Sequence, residues 1–273
     1  MTSPFDDLER PPLRERALRS ALVVEGGTWS DLRVVPETGS TNADVAAAAA
    51  AGAPEGLVLV AEHQTAGRGR ADREWSAAPR SGLTFSALLR PPAPTRSLWG
   101  WLPLLTGLSV AAPLTRLSGL DLGLKWPNDV LVADRKVAGL LAEVVGDAVV
   151  LGVGINVSLR EDELPVPTAT SLQLAGSAVV DREPLLRAVL RDLAVRYRAW
   201  CDADGDAGAA GLLEEYRASC VTIGRDVTVH LPGGRVLTGR ASDVDATGRL
   251  VVKEDHDVGG VEAIAAGEVV HVR

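Results

Sequence analysis

"DVLVADRKVAGLLAEVVGDAVVLGVGINV", Asp129 to Val157, contains three apolar runs rich in valine and leucine, separated by the short turns Ala133–Lys136 and Val145–Ala148. Short turns between β-rich runs predict antiparallel hairpins. The charges in the stretch interrupt it well before the roughly 20 apolar residues that a membrane helix needs. Upstream, "LGLKW" (Leu122–Trp126) reads as a strand, Ser97–Leu117 as a helix and "SGLTFSALL" (Ser81–Leu89) as a strand. Before these, "DLRVVPE" (31–37) and "EGLVLVAEHQ" (55–64) read as strands around a helix over "GSTNADVAAAAAAG" (39–52). This irregular succession predicts an α+β fold with a mixed, largely antiparallel sheet.

Downstream, residues 182–202 and 209–220 carry apolar residues at helical spacing. The last fifty residues alternate β-branched residues with the turn signals Pro232-Gly233-Gly234 and Ala246-Thr247-Gly248, which predicts a small barrel of short strands. The expected division is therefore an N-terminal segment over 1–30, a catalytic unit over 31–220 and a small β domain over 221–273. The first of these is charged and proline-bearing, with a short helix near Leu13–Val24, and is expected to be poorly ordered.

The 273 residues are 46% hydrophobic, enough to bury a sizeable core, and carry a formal charge of −8. That charge argues against non-specific nucleic-acid binding as the main task. Cys201 and Cys220 stand in no metal-binding or redox spacing, and the N-terminus lacks a signal peptide's apolar segment, so a cytoplasmic protein is expected.

Four stretches carry chemistry. "EHQTAGRGRADREWS" (Glu62–Ser76) places Arg68, Arg70 and Arg73 among glycines, where a closely bending backbone and guanidinium groups can surround phosphate or carboxylate. A solvated arginine loop is the plainer alternative. "ETGSTN" (Glu37–Asn42) puts Ser40, Thr41 and Asn42 at a strand-to-helix junction, where they can grip a polar head group or merely cap the helix. "LKWPNDVLV" (Leu124–Val132) combines turn chemistry at Pro127, Asn128 and Asp129 with Lys125 and Trp126, which a turn does not need. Lys136 opens an apolar strand, as a solvated edge charge would, and Gly154-Ile155-Asn156 ends another.

In this order and spacing, "GSTN", "QTAGRGR…W", "KWPND", "KVAGLL.E" and "GVGIN" resemble the biotin protein ligases of the monofunctional type, over about Val34–Val157. The resemblance implies a class II synthetase-like fold, shared with lipoate ligases, and an SH3-like C-terminal domain. It also implies activation of biotin by MgATP to biotinyl-5′-AMP, then transfer to a lysine of a biotin carboxyl carrier domain such as that of acetyl-CoA carboxylase. Carried over, Ser40, Thr41, Asn42, Gln64, Gly67 and Arg68 would hold biotin, with Lys136 at its carboxylate. Arg70, Arg73, Trp75, Lys125, Trp126, Asn128, Asp129 and Asn156 would hold ATP or the adenylate, and Arg68, Arg70, Asp129 and Lys136 would act in catalysis. No dedicated metal site is implied, only Mg²⁺ carried with ATP near Asp129. Asp72 stands where the family often has a third glycine. The expected partners are the carrier domain but neither DNA nor membrane, with the chain a monomer or weak homodimer. Lipoate ligase, a biotin-sensing repressor and a non-catalytic ligand-binding module are the competing readings. The repressor reading is disfavoured because the roughly 36 residues before Glu37 show no basic three-helix pattern.

Overall fold

The computed structural model describes residues 10–70, 73–254 and 260–272. In chain order the elements begin with α1 (Glu15–Leu22), β1 (Asp31–Val35), α2 (Thr41–Ala50), β2 (Leu57–Ala61), β3 (Gly82–Leu89) and α3 (Trp101–Ser118). Then come β4 (Leu122–Lys125), β5 (Asp129–Val132), β6 (Arg135–Val145), β7 (Ala148–Asn156), α4 (Arg182–Asp202) and α5 (Leu212–Ser219). The tail folds as β8 (Asp226–His230), β9 (Val236–Val244), β10 (Leu250–Glu254), β11 (Val261–Ile264) and β12 (Glu268–His271).

The seven-stranded sheet runs β1-β2-β3-β7-β6-β5-β4. Only β1 and β2 pair in parallel; the other neighbours are antiparallel, including the two hairpins read from Asp129–Val157. The first hairpin turns through Ala133 and Asp134 at φ 47° and 62°, and the second through Gly146 at φ 62°. Positive φ at these positions matches the right-handed twist of the flanking strands.

Both faces of this sheet are covered, which explains why β2 reads as an unbroken apolar run. Successive residues point to opposite faces, and the core divides accordingly. Val58 and Val60 of β2, Phe85 and Leu89 of β3, and Val149, Leu151, Val153 and Ile155 of β7 join the main core with α3 and α4. Leu57, Leu59, Leu88 and Val150 form a smaller cluster beneath Val45 and Ala49 of α2. Helix α3 is buried on nearly every side, so it shows no amphipathic stripe, and it meets α4, α5 and the sheet.

The second sheet is antiparallel, in the order β11-β10-β9-β8-β12, with Val227, Val229, Leu237, Val252 and Val269 buried. It shares the main apolar core of the first unit and is tied to it by polar contacts as well. Val221 N–H donates to Leu124 O (2.9 Å), and the indoles of Trp101 and Trp126 donate to the Ala246 and Gly248 carbonyls at 2.7 and 3.0 Å.

Residues 10–30, expected to be poorly ordered, are instead packed, with Leu18, Leu22 and Trp29 in the main core. Apolar α1 positions and a set of ion pairs explain the difference. Arg182 Nη1 donates to Glu62 Oε2 at 2.6 Å and Nη2 to Pro11 O at 2.6 Å, while Leu13 N–H donates to Glu62 Oε1 at 2.6 Å. Residues 1–9 lie outside the described residues.

Arg182 and Glu62 are only 6% and 8% exposed, so removing one partner strands a buried charge. Arg182→Met is expected to cost about 3–5 kcal/mol in urea unfolding. Glu62→Gln, which keeps an acceptor for Leu13, should cost less. A loss below about 1 kcal/mol for Arg182→Met would show that the pair does not hold the N-terminal segment.

Candidate functional site

Past Leu88 and Val150, the face of the sheet beneath α2 changes from large to small side chains. The ladder pairs Ser86 with Gly152, Thr84 with Gly154 and Gly82 with Asn156, and β6 adds Gly139 beside Gly154. A cavity of about 600 Å³ opens over this floor. The missing side chains are a steric requirement. A Cβ at Gly154 would lie 2.2 Å from Cε2 of Trp75, one at Gly139 would lie 3.0 Å from the same indole, and one at Gly152 would lie 2.2 Å from Oδ1 of Asn42. The Trp75 ring therefore rests on bare backbone, with Lys136 Nζ 5.8 Å from its centroid and with Nε1 buried and without a hydrogen bond.

At one end of the cavity stands the N-terminus of α2, capped by Ser40, whose hydroxyl accepts from Ala43 N–H. Gln64 Oε1 accepts from Thr41 N–H (2.7 Å) and Thr41 Oγ1 (2.9 Å). The buried Ser86 hydroxyl lies 2.7 Å from Thr41 Oγ1 and 2.5 Å from Asn42 Oδ1. Glu143 then accepts from both Asn42 Nδ2 (2.7 Å) and Arg68 Nη2 (3.0 Å). Polar groups thus run without a break from the arginine loop to the helix terminus.

The loop itself is a small hairpin. Trp75 N–H donates to Gly67 O (2.9 Å), Gly69 N–H to Arg73 O (2.6 Å), and Arg68 forms a β-bridge with Glu74. Arg68 faces the α2 end through Glu143, whereas Arg70 and Arg73 point to the other end of the cavity. Arg70 donates to Asn128 Oδ1 (3.2 Å), Asn128 donates to Leu140 O (2.9 Å), and Arg73 pairs with Glu268 of β12 (2.8 Å). Lys136 Nζ lies 2.6 Å from Asp129 Oδ1. Burial, reinforced by neighbouring cations, holds Lys125 and Arg70 below their usual ranges even though Asp129 opposes the shift. Two partly desolvated cations facing a cavity favour an anionic guest.

Ser40, Thr41, Asn42, Gln64, Arg68, Arg70, Arg73, Trp75, Lys125, Asn128, Asp129, Lys136 and Asn156 all line this one cavity. Gly67 and Trp126 do not. Gly67 acts through its backbone, where a Cβ would meet the Trp75 carbonyl oxygen at 2.3 Å. Trp126, expected among the nucleotide contacts, is 1% exposed and belongs to the core and the seam with the second sheet. Asp72 lies outside the described residues. Sequence reasoning missed Ser86 and the C-terminal residues Arg225, Glu268 and His271, which carry no local motif. Glu143 ends the KVAGLL.E stretch, where spacing alone assigns it no role.

Comparison with known proteins follows the same outline. The profile of the Biotin/lipoate A/B protein ligase family matches residues 36–159, and that of the Biotin protein ligase C terminal domain matches residues 222–272. The biotin–[acetyl-CoA-carboxylase] ligase of Mycobacterium tuberculosis is 47% identical over 272 residues, covering 98% of each chain. The ligase of that name from Paracoccus denitrificans is 32% identical over 86% of this chain and 98% of its own. The Aquifex aeolicus biotin protein ligase in complex with biotin and ATP superposes with a TM-score of 0.76 at 29% identity, over 90% of this chain and all of that one.

The glycine floor yields a direct test. Gly154→Ala places its methyl inside the Trp75 ring and should expel the indole toward water. The expected result is a red shift of tryptophan emission that is absent when Trp75→Phe is combined with it. A Gly154→Ala spectrum identical to the parent would mean that Trp75 does not rest on this floor.

Proposed function

The chain belongs to the biotin/lipoate A/B protein ligase family, and from that premise we propose that both steps of protein biotinylation occur in the single cavity over the glycine floor. The enzyme is an ATP-dependent ligase that forms biotinyl-5′-AMP from biotin and MgATP and passes the biotinyl group to a carrier lysine. The observation that carries the site assignment is that a polar, helix-capped pocket and a cation cluster share one space, with Lys136 where they meet.

In the first step a biotin carboxylate oxygen attacks the α-phosphorus, and the bond to pyrophosphate breaks. Two anions must approach, so positive groups aimed at the developing charge lower the barrier. Lys136 fits that place, since its present counter-ion is the Asp129 carboxylate, which could turn to a metal and leave the ammonium to the substrate. Ser40, Thr41, Asn42 and Gln64 would grip the ureido end, and the Trp75 face would cover the thiophane ring and acyl chain. Arg70, Arg73, Lys125, Asn128 and Asn156 would serve the nucleotide. Among the described residues no group of three or more His, Cys, Asp or Glu side chains could hold a metal alone. Asp129 beside Asn128 suits Mg²⁺ carried in by the triphosphate, where the ion would neutralise the departing pyrophosphate.

In the second step the carrier's lysine amine attacks the acyl carbon, loses a proton, and AMP leaves with the bonding electrons. The mixed anhydride must be kept from water in between, a task suited to the arginine hairpin folded over the cavity. The acceptor is a carrier domain of acetyl-CoA carboxylase or a related carboxylase. The formal net charge of −8 further supports a protein that does not bind DNA. Among the described residues no helix is long and apolar enough to cross a membrane.

Pyrophosphate exchange with purified protein and MgATP tests the reading: biotin should drive it and lipoate should not. Exchange driven only by lipoate would overturn it. Lys136→Ala should slow biotin-dependent exchange by about 10²–10³ while MgATP still binds, and an unchanged rate would remove Lys136 from the reacting centre. Arg70→Gly, which loses the link to Asn128, should release adenylate early and label bystander lysines. If bystanders stay unlabelled while adenylate still forms, the hairpin does not retain the intermediate.

A further inference from the structure

Three residues of the cavity wall lie outside every motif discussed above: Asp134 on the β5–β6 turn, Arg225 just before β8, and His271 at the end of β12. Their contacts form one device. Arg225 Nη1 lies 2.8 Å from Asp134 Oδ1 and 3.3 Å from His271 Nδ1. A guanidinium can only donate, so Nδ1 is the acceptor and the imidazole proton sits on Nε2. From there it donates to Thr222 Oγ1 (3.1 Å), which also accepts the Trp126 backbone N–H (3.1 Å). The ring is fixed from both sides, and its hold on Arg225 is tied to the turn that carries Lys125, Asn128 and Asp129.

We propose that Arg225, carried to the cavity by the C-terminal sheet and aimed by His271, is a binding residue for the polyphosphate of the nucleotide. The inference rests on the ligase reading and extends it to a domain that the motifs do not reach. Burial, with Lys125 and Arg225 nearby, pushes the His271 pKa down to about 4 although Asp134 opposes the shift, so the ring remains neutral at working pH. A neutral imidazole orients the guanidinium without cancelling its charge. Asp134, by contrast, is 60% exposed at the tip of a tight turn, and an exposed ion pair is held weakly. Phosphate oxygens offer a planar guanidinium paired acceptors and more charge than that one carboxylate. Arg225 can therefore exchange Asp134 for an incoming triphosphate, joining Lys125, Arg70 and Arg73 in the same cavity. The plainer alternative is that the Arg225–Asp134 pair only ties the second sheet to the first.

Biotin-dependent pyrophosphate exchange with the full chain separates the two. Arg225→Ala should raise the KM for MgATP about tenfold or more, the usual effect of losing one charge-assisted contact. The KM for biotin should stay within about twofold. Arg225→Lys should recover part of the loss, and His271→Phe should raise the MgATP KM by a smaller factor with biotin again unaffected. Asp134→Asn, which breaks the tie but leaves the cation, should not raise the MgATP KM. Calorimetric biotin binding shows whether each variant is folded. Should Arg225→Ala not fold, Arg225→Lys against Asp134→Asn makes the same comparison. The proposal is overturned if Arg225→Ala leaves the MgATP KM within twofold of the parent, or if Asp134→Asn raises it equally. Absence of any biotin-dependent exchange in the parent would instead sink the ligase reading, and this inference with it.

Discussion

The contact between the Trp75 indole and the bare backbone at Gly139 and Gly154 determines where the other groups of the site can stand. Because the ring rests on the sheet, the hairpin residues just before it, Arg73 and Glu74, are brought to the cavity wall. Because Gly152 has no side chain, Asn42 can descend to the same face and reach Ser86 and Glu143. A side chain at any of the three glycines would lift either the hairpin or α2 away from the floor. The cation cluster at the far end is useful only while that geometry brings it to the same space as the helix terminus.

The sequence disclosed much of this through period and turn chemistry. The hairpins of Asp129–Val157 were legible because short turns separate β-rich runs. The arginine loop and the KWPND stretch were legible because arginine and lysine occur there where a turn needs neither. The glycine positions could not be assigned from pattern alone: 139, 152 and 154 share a face only once the β6–β7 register is known. Ser86 looked like an ordinary polar residue in an apolar strand. Glu268, Arg225 and His271 enter from a separate sheet nearly a hundred residues or more after the KWPND motif, and no local signal joins them to it.

Two expectations failed for related reasons. Trp126 was assigned to the nucleotide because its motif is chemical, but its indole is consumed in satisfying a carbonyl across the seam with the second sheet. The N-terminal segment was expected to lack order because it is charged and proline-bearing. Its charges are internal ligands: Arg10 pairs with Glu163, Arg14 with Glu183, and the backbone at Leu13 with Glu62. Composition reports how many charges a segment carries, whereas order depends on whether each one finds a buried counterpart.

The turn at Asp245–Gly248 presses against α3, with Gly248 so close to Leu104 that a Cβ would approach it to 2.9 Å. Together with the Trp101 and Trp126 indoles and the Leu124–Cys220 strand bridge, it leaves the smaller sheet no way to melt by itself without exposing polar groups on the larger one. In calorimetric terms the two units should share one cooperative transition instead of behaving as beads on a string. Heat that loosens the C-terminal sheet would therefore reach the Lys125–Asp129 turn at the same temperature, and nucleotide handling would fail along with the fold rather than after it.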